Sequence, residues 1–257
     1  MKVLYDSCPL CDSRQIGLLL EADCTQHPCY RPQLPALMRW MRCASCAHIF
    51  TDGYWTPAAL ALLFSTSNPQ QRVGFDLENQ RLVSARMIER ILPFRDAGRW
   101  LDVGFGNASI VLTAREFGFE VAGLDLRARE VEALRKIGVD AHVADIAEFR
   151  PAHSFAVVSM MDVLEHMSFP KEGLAAAHRL LEPAGVLYLS MPNSDSDVWK
   201  LLDAGKANPY WSEMEHHHNF GRARLHALLR ECGFEPVHYS VSERYRACMQ
   251  VVAKRRS

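Results

Sequence analysis

The sequence predicts an α/β fold, with βα units around a parallel sheet preceded by a small metal-held module. Three observations carry that expectation. From Arg99 onward, short apolar runs alternate with amphipathic stretches, the order produced when strands are buried on both faces and helices cover them. Two Cys-x-x-Cys pairs stand within the first 46 residues. A glycine turn, Gly104-Phe105-Gly106, joins the first apolar run to the first helical pattern.

Composition narrows the function. A chain of 257 residues can bury a full core and leave room for a smaller second unit. With 49% hydrophobic residues, disorder is excluded. Twenty-nine basic against 30 acidic side chains leave a net charge of −1, which gives no bulk field to hold a polyanion and counts against nucleic acid as the main ligand. The longest apolar run, Ala58 to Phe64, is far shorter than the roughly 20 residues a membrane-spanning helix needs. The N-terminal MKVLYDSCPLCDS has no apolar core of a secretory signal. The expected setting is the cytoplasm, where the eight cysteines stay reduced and point to metal or catalysis rather than disulfides.

The elements follow in order. Residues 1–55 form the cysteine-rich module, with Pro28, Pro32 and Pro35 and little helical periodicity. Residues 56–98 read as connecting helices: Pro57 opens AALALLF, and Leu82, Ala85, Ile88, Ile91 and Leu92 recur at helical spacing. Residues 99–257 carry the sheet. Its strands are RWLDVG, EVAGLDL, DAHVAD, FAVVSMMDV and VLYLSMP, with helical patterns at Ser109 to Phe117, Arg129 to Ile137 and Lys171 to Leu181. RARLHALLREC ends at Gly233, and FEPVHYSV and RACMQVVAK make a terminal strand pair.

Cys8, Cys11, Cys43 and Cys46 form two knuckles separated by about 30 residues. Each turns two thiolates toward one point, and together they complete the tetrahedral sulfur shell that zinc prefers. Four thiolates close the shell, so the site is expected to be structural. Cys24, His27 and Cys29 stand between the knuckles as alternative ligands. Ordinary buried cysteines are the competing reading, and Cys232 and Cys248 are read that way.

The turn Gly104-Phe105-Gly106 follows a strand and opens a helix, where a ligand approaches the backbone more closely than a Cβ allows. A dinucleotide site would carry a third glycine at the position of Ser109. About 20 residues on, Asp125 ends the second strand, where a carboxylate can accept both hydroxyls of a ribose. Asp145 and Ile146 follow the third strand. Any one of these aspartates alone reads as a helix cap or loop carboxylate. Their joint placement at successive strand ends argues for a ligand across the carboxyl edge of the sheet.

With these residues, Met161-Asp162-Val163-Leu164-Glu165-His166-Met167, Pro183-Ala184-Gly185 and Met191-Pro192-Asn193, the chain resembles class I S-adenosylmethionine-dependent methyltransferases. It is most similar to the bacterial group with an N-terminal zinc-binding module and an E-H-x-H-x-F segment, here Glu215-His216-His217-His218-Asn219-Phe220. The resemblance implies a Rossmann-like sheet of about seven strands, with Asp102, Gly104 and Gly106 around the methionine part of S-adenosylmethionine, Asp125 at the ribose, and Asp145 with Ile146 at the adenine. Phe105, Leu126 and Met161 complete the expected cofactor site. Two positions depart from the pattern: Ala108 replaces a usual glycine, and Phe105 replaces a small residue where a ring would crowd or cover the cofactor.

Methyl transfer from a sulfonium is an in-line displacement, so the protein aligns a nucleophile and excludes water. A hydroxyl nucleophile gains from a general base. His166, after the fourth strand, and His216 and His218, in the aromatic-rich insertion Asn208 to Phe220, are the candidates. The alternative is structural: His166 fixing its loop, His216 and His218 locking the insertion. Metal binding by His216, His217 and His218 with Glu215 is a further reading, weighed against by the fact that adjacent residues on a helix or strand cannot all face one ion. Asp162 and Glu165 either cap the following helix or line the methionine pocket. The expected acceptor is a small molecule, a sugar or natural-product intermediate by resemblance. Two rivals are an RNA or protein methyltransferase gripping its substrate through the zinc module, marked by a basic surface at Arg31, Arg39 and Arg42, and a non-enzymatic binding protein whose cofactor cleft Phe105 blocks.

Overall fold

The computed structural model describes residues 1–63, 69–245 and 247–256. In chain order the elements are β1 (Lys2–Leu4), β2 (Ile16–Asp23), β3 (Leu37–Cys43), β4 (Ile49–Thr51), β5 (Gly53–Trp55), α1 (Pro57–Leu63), α2 (Leu77–Glu89), β6 (Arg99–Val103), α3 (Ser109–Glu116), β7 (Glu120–Asp125), α4 (Ala128–Lys136), β8 (Asp140–Val143), β9 (Phe155–Met161), α5 (Pro170–Leu180), β10 (Leu181–Pro192), α6 (Asp197–Ala204), β11 (His218–Asn219), α7 (Arg222–Glu231), β12 (Phe234–Val241) and β13 (Cys248–Arg255). Phe64, the end of the apolar run at Ala58, and Arg246, the start of the last predicted strand, lie outside the described residues.

The chain forms two compact units whose segments interleave: Met1–Ser67, Glu165–Pro170 and Pro192–Leu228 in one, and Asn68–Leu164, Lys171–Met191 and Leu229–Ser257 in the other. The larger unit is built on a seven-stranded mixed sheet in the order β12-β13-β10-β9-β6-β7-β8. From β10 to β8 the neighbours run parallel, and β12 pairs antiparallel with β13. This is an α/β Rossmann-like architecture, and each predicted βα unit has its counterpart. All seven residues of β9, FAVVSMM, are buried, as a strand covered on both faces requires. One core packs Met87, Ile88 and Ile91 against Trp100, Ile110, Phe119 and Tyr188. A second gathers Phe105, Val111, Val131, Leu134 and Ala141.

The smaller unit holds the antiparallel pair β1-β5 and a four-stranded sheet in the order β11-β4-β3-β2. Its core centres on Trp40 and Trp55 with Met38, Leu34, Leu63 and Met214. Residues 1–55 are too poor in large apolar side chains to close a core alone. The insertion at 208–220 supplies the remainder: Trp40 Nε1 donates to the Trp211 carbonyl at 2.7 Å and Trp55 Nε1 to that of Met214 at 2.8 Å. The structural division therefore groups this late segment with the cysteine-rich module, where a linear reading keeps it with the sheet domain.

Candidate functional site

In the larger unit the candidate site residues lie at the carboxyl ends of β6 and β7. Asp102, near the end of β6, is 3% exposed. Trp100 Nε1 donates to Ser159 Oγ at 2.7 Å, which leaves the hydroxyl proton for Asp102 Oδ1 at 2.6 Å. Burial pushes the Asp102 carboxyl up to about 7; the Ser159 hydrogen bond and the charge of Arg244 oppose this, and the charge of Asp125 adds to it. A carboxyl poised at neutrality, with a hydroxyl donor in place, suits a cationic ligand.

The glycine turn leaves β6 in left-handed backbone, with φ 65° at Gly104 and 53° at Gly106. A Cβ at Gly104 would stand 2.7 Å from Val163 Cγ2, whereas nothing lies within 4 Å of the corresponding point at Gly106. Backbone without side chain is thus exposed to an incoming ligand at Gly106. Ala108 occupies the N-cap of α3 at φ 67°, the strained conformation that explains why glycine is usual there. Phe105 is 4% exposed and belongs to the core with Val111 and Leu134. Its ring fills space left by Gly123, so its side chain does not occupy the cleft and only its backbone borders the turn. This removes the premise of a binding protein with a ring-blocked cofactor site.

Asp125 ends β7 and is 7% exposed. Arg127 grips it in fork geometry, Nε to Oδ1 at 2.8 Å and Nη2 to Oδ2 at 2.7 Å, while the Arg127 amide donates to Oδ1 at 2.9 Å. The same guanidinium reaches the carbonyls of Gln71 at 2.8 Å and Gly106 at 3.3 Å. The carboxylate is pre-oriented before any ligand arrives. Leu126 is 69% exposed and Ile146 buried. Asp145 is exposed and accepts from the Ala147 amide at 2.7 Å. Met161 packs into the core at the end of β9, and Asp162, at φ 58°, accepts from Ser190 Oγ at 2.8 Å.

In the smaller unit Cys8, Cys11, Cys43 and Cys46 converge, with ligand atoms all within 4.8 Å of one another. Cys24 lies instead in the apolar core, and Cys29 approaches Glu215 Oε1 at 3.8 Å. The two knuckles repeat one geometry. The Asp12 amide bonds back to the Cys8 carbonyl at 2.9 Å and the Ala47 amide to that of Cys43 at 3.0 Å, with both Asp12 and Ala47 left-handed. Cys8 and Cys46 Sγ are 3.6 Å apart, as are Cys11 and Cys43 Sγ. A tetrahedron with Zn–S bonds of about 2.3 Å has edges of about 3.8 Å, so the four sulfurs fit a zinc ion.

The histidines divide by environment. His218 Nε2 donates to the Met167 carbonyl at 2.8 Å, so its Nδ1 accepts from His48 Nε2 at 3.0 Å. Both of its nitrogens are spent on holding the unit together, and burial brings its pKa down to about 4. Among the described residues His166 bonds through Nδ1, donating to the Glu215 carbonyl at 2.8 Å, which leaves the lone pair on Nε2. Its ring meets that of His216 edge-on at 4.7 Å. His216 and His217 are buried, and burial holds both far below the usual imidazole range. Of the three basic residues that would mark a polyanion surface, Arg39 pairs with Glu21 at 3.1 Å and Arg31 turns back on the carbonyls of Pro28 and Tyr30.

Sequence reasoning did not find Ser159, Trp100 or Arg127 as supports of the two aspartates. For Arg127 the signal was present, a basic residue two positions after a strand-ending aspartate. For Ser159, inside an otherwise apolar strand, the lone hydroxyl was the clue.

Comparison with known proteins agrees with this architecture, and the fold defines the class of S-adenosylmethionine-dependent methyltransferases. The chain belongs to the family described as methyltransferase domain, which matches residues 76–239. Curated relatives include ubiquinone biosynthesis O-methyltransferases: that of Pectobacterium carotovorum is 29% identical over 113 residues, 41% of this chain and 47% of the relative, and that of Vibrio cholerae 29% identical over 164 residues, 55% and 65%. The matches therefore span from about half to just under two thirds of those relatives' lengths. Among solved structures, the 1,6-didemethyltoxoflavin-N1-methyltransferase of Burkholderia thailandensis superposes with a TM-score of 0.59 at 19% identity, covering 82% of this chain and 96% of that one. An amino pentose methyltransferase of Micromonospora echinaspora gives 0.52 at 19% identity, covering 68% and 91%. At such identities these structures speak to the fold. Among the described residues no helix is long and apolar enough to cross a membrane.

Proposed function

We propose that this chain transfers a methyl group from S-adenosylmethionine to a small-molecule acceptor, such as a sugar or natural-product intermediate, and that zinc on Cys8, Cys11, Cys43 and Cys46 holds the cysteine-rich unit in shape. The observation that carries the first part is the sheet edge, where a buried Asp102, the open backbone at Gly106 and the pre-oriented Asp125 stand on adjacent strands. The curated relatives, named for ubiquinone biosynthesis, and the solved neighbours, named for toxoflavin and amino pentose substrates, support an acceptor of that size.

When bound, S-adenosylmethionine supplies a methyl group already activated as a sulfonium. The work left to the chain is to bind, orient and exclude water. Asp102 offers its carboxylate to the amino acid end, Gly104 and Gly106 give room along the backbone, and Asp125 accepts the ribose hydroxyls. Asp145 and Ile146 take the adenine, while Phe105, Leu126 and Met161 shape the walls from beneath and beside. His166, through Nε2, and His216 are the groups assigned to the acceptor's proton, and His218 is a positioning residue that secures β11.

Calorimetric titration with S-adenosylmethionine tests the assignment. Binding is expected, and Asp125→Ala should weaken it by about 1 to 3 kcal/mol through lost charge-assisted hydrogen bonds; no heat and no thermal shift at millimolar ligand would remove the reading. Cys43→Ser should release zinc and lower the melting temperature of the smaller unit, as expected where metal binding is part of the folding energy. A full-length chain that contains no zinc and melts unchanged would remove the zinc assignment.

A further inference from the structure

A second group of ligating side chains lies in the smaller unit. Glu165, His166 and His216 each present one atom within 4.8 Å of the others. They come from two distant stretches of chain, brought together by the bond from the His217 amide to the Glu165 carbonyl at 2.8 Å and by the His166 bond to the Glu215 carbonyl. Glu165 is 0% and His216 8% exposed. Nδ1 of His216 is buried with no hydrogen-bond partner among the described residues, an unfavourable condition that a bound ligand would relieve.

The chemistry of the three groups is that of a ligand set. A backbone carbonyl can only accept, so the His166 proton sits on Nδ1 and the Nε2 lone pair is presented. An imidazole oriented by a carbonyl on its other nitrogen is the usual support of a metal ligand. One ligating atom from each of two imidazoles and a carboxylate lies close to the others, and a single cation can take one atom from each. Two imidazoles with one carboxylate favour a first-row ion such as zinc, cobalt, manganese or iron over magnesium or calcium. Three protein ligands leave at least one coordination position open, the mark of a working rather than a purely structural site.

We propose that Glu165, His166 and His216 bind a divalent first-row metal ion, distinct from the one on the cysteines, whose open position takes an oxygen ligand. This metal site does not rest on the methyltransferase reading. A hydroxyl or water bound at such an ion would lose its proton at lower pH than in bulk water. With this ion bound, His166 and His216 act as its ligands and not as free bases.

The test uses the full chain with one equivalent of zinc on the cysteines, titrated with cobalt(II) and followed by absorption spectroscopy and metal analysis. The expected result is a second ion per chain whose spectrum lacks thiolate-to-cobalt charge transfer, with affinity falling on the order of 100-fold or more in His216→Ala and in Glu165→Gln. Should either variant misfold, the count and spectrum of the unmodified chain decide alone. No uptake beyond the first equivalent, cobalt bands of thiolate character only, or a second ion bound equally well by a folded His216→Ala would overturn the proposal. S-adenosylmethionine titration of the same sample after removal of the second ion with a mild chelator separates failure of this site from failure of the methyltransferase reading.

Discussion

Phe105 lies where Gly123 has no side chain: a Cβ on Gly123 would stand 2.9 Å from Cδ1 of the phenylalanine ring and 3.1 Å from Cδ1 of Leu134. The pair explains how a large residue sits between the two glycines of the turn without entering the cleft. The ring passes beneath β7 and packs with Val111, Val131 and Leu134, and β7 gives up a methyl group to receive it. Gly123→Ala should therefore destabilise the chain by about 1 to 3 kcal/mol through overpacking. Phe105→Leu in the same background should return part of that loss, a coupling readable by a double-mutant cycle of thermal unfolding. Strict additivity of the two substitutions would show that they do not share this space.

The elements legible in the sequence were those whose burial is local. β9 is apolar at six of its seven positions and buried at all of them, and α3 and α4 each begin near a turn and end before a glycine, Gly118 and Gly138. β2 shows the opposite case. It pairs along β3 yet has no fully buried residue, so no alternation marks it. β11 is two residues long and exists only because β4 receives it. Asp102 and Asp125 were readable because strand ends and glycine turns are local signals. The approach of Glu165 and His166 to His216 joins positions about 50 residues apart, and two Glu-His pairs in the text were its only trace.

The knuckles store strain that can be relieved without touching a thiolate. Ala47, at φ 59°, is exposed and holds left-handed backbone so that its amide can reach the Cys43 carbonyl. A Cβ in that conformation costs about 1 to 2 kcal/mol. Ala47→Gly should recover about 0.5 to 1 kcal/mol after the greater freedom of glycine in the unfolded chain is counted. Thermal unfolding at fixed zinc content measures it, and a lower melting temperature would contradict the assigned backbone.

Gly104 and Gly106 should respond differently to the same change. Gly104→Ala drives a methyl group into Val163 and strains the backbone, so both fold stability and ligand affinity should fall. Gly106→Ala meets no atom within 4 Å. Its cost to the unliganded fold is the conformational one, about 1 to 2 kcal/mol, while S-adenosylmethionine affinity should drop by more than the change in stability implies. Paired measurements of melting temperature and calorimetric affinity make the comparison. Equal losses in both quantities at Gly106 would mean that the ligand does not pass over it.

Asp102 links cofactor binding to pH, and the sign follows from its burial. Its carboxyl is raised from an ordinary 3.8 to about 7, so the unliganded fold favours the protonated form and loses stability as pH rises from about 4 to about 7. A cation beside it favours the carboxylate, and binding then expels a proton wherever the free group is protonated. Affinity for S-adenosylmethionine should accordingly rise by up to about tenfold per pH unit below 7 and level off above it. Asp102→Asn should weaken binding and flatten the profile. Methylthioadenosine, which lacks the amino acid end, should bind the unmodified chain with little dependence on pH across this window; a slope equal to that of S-adenosylmethionine would assign the titration to another group.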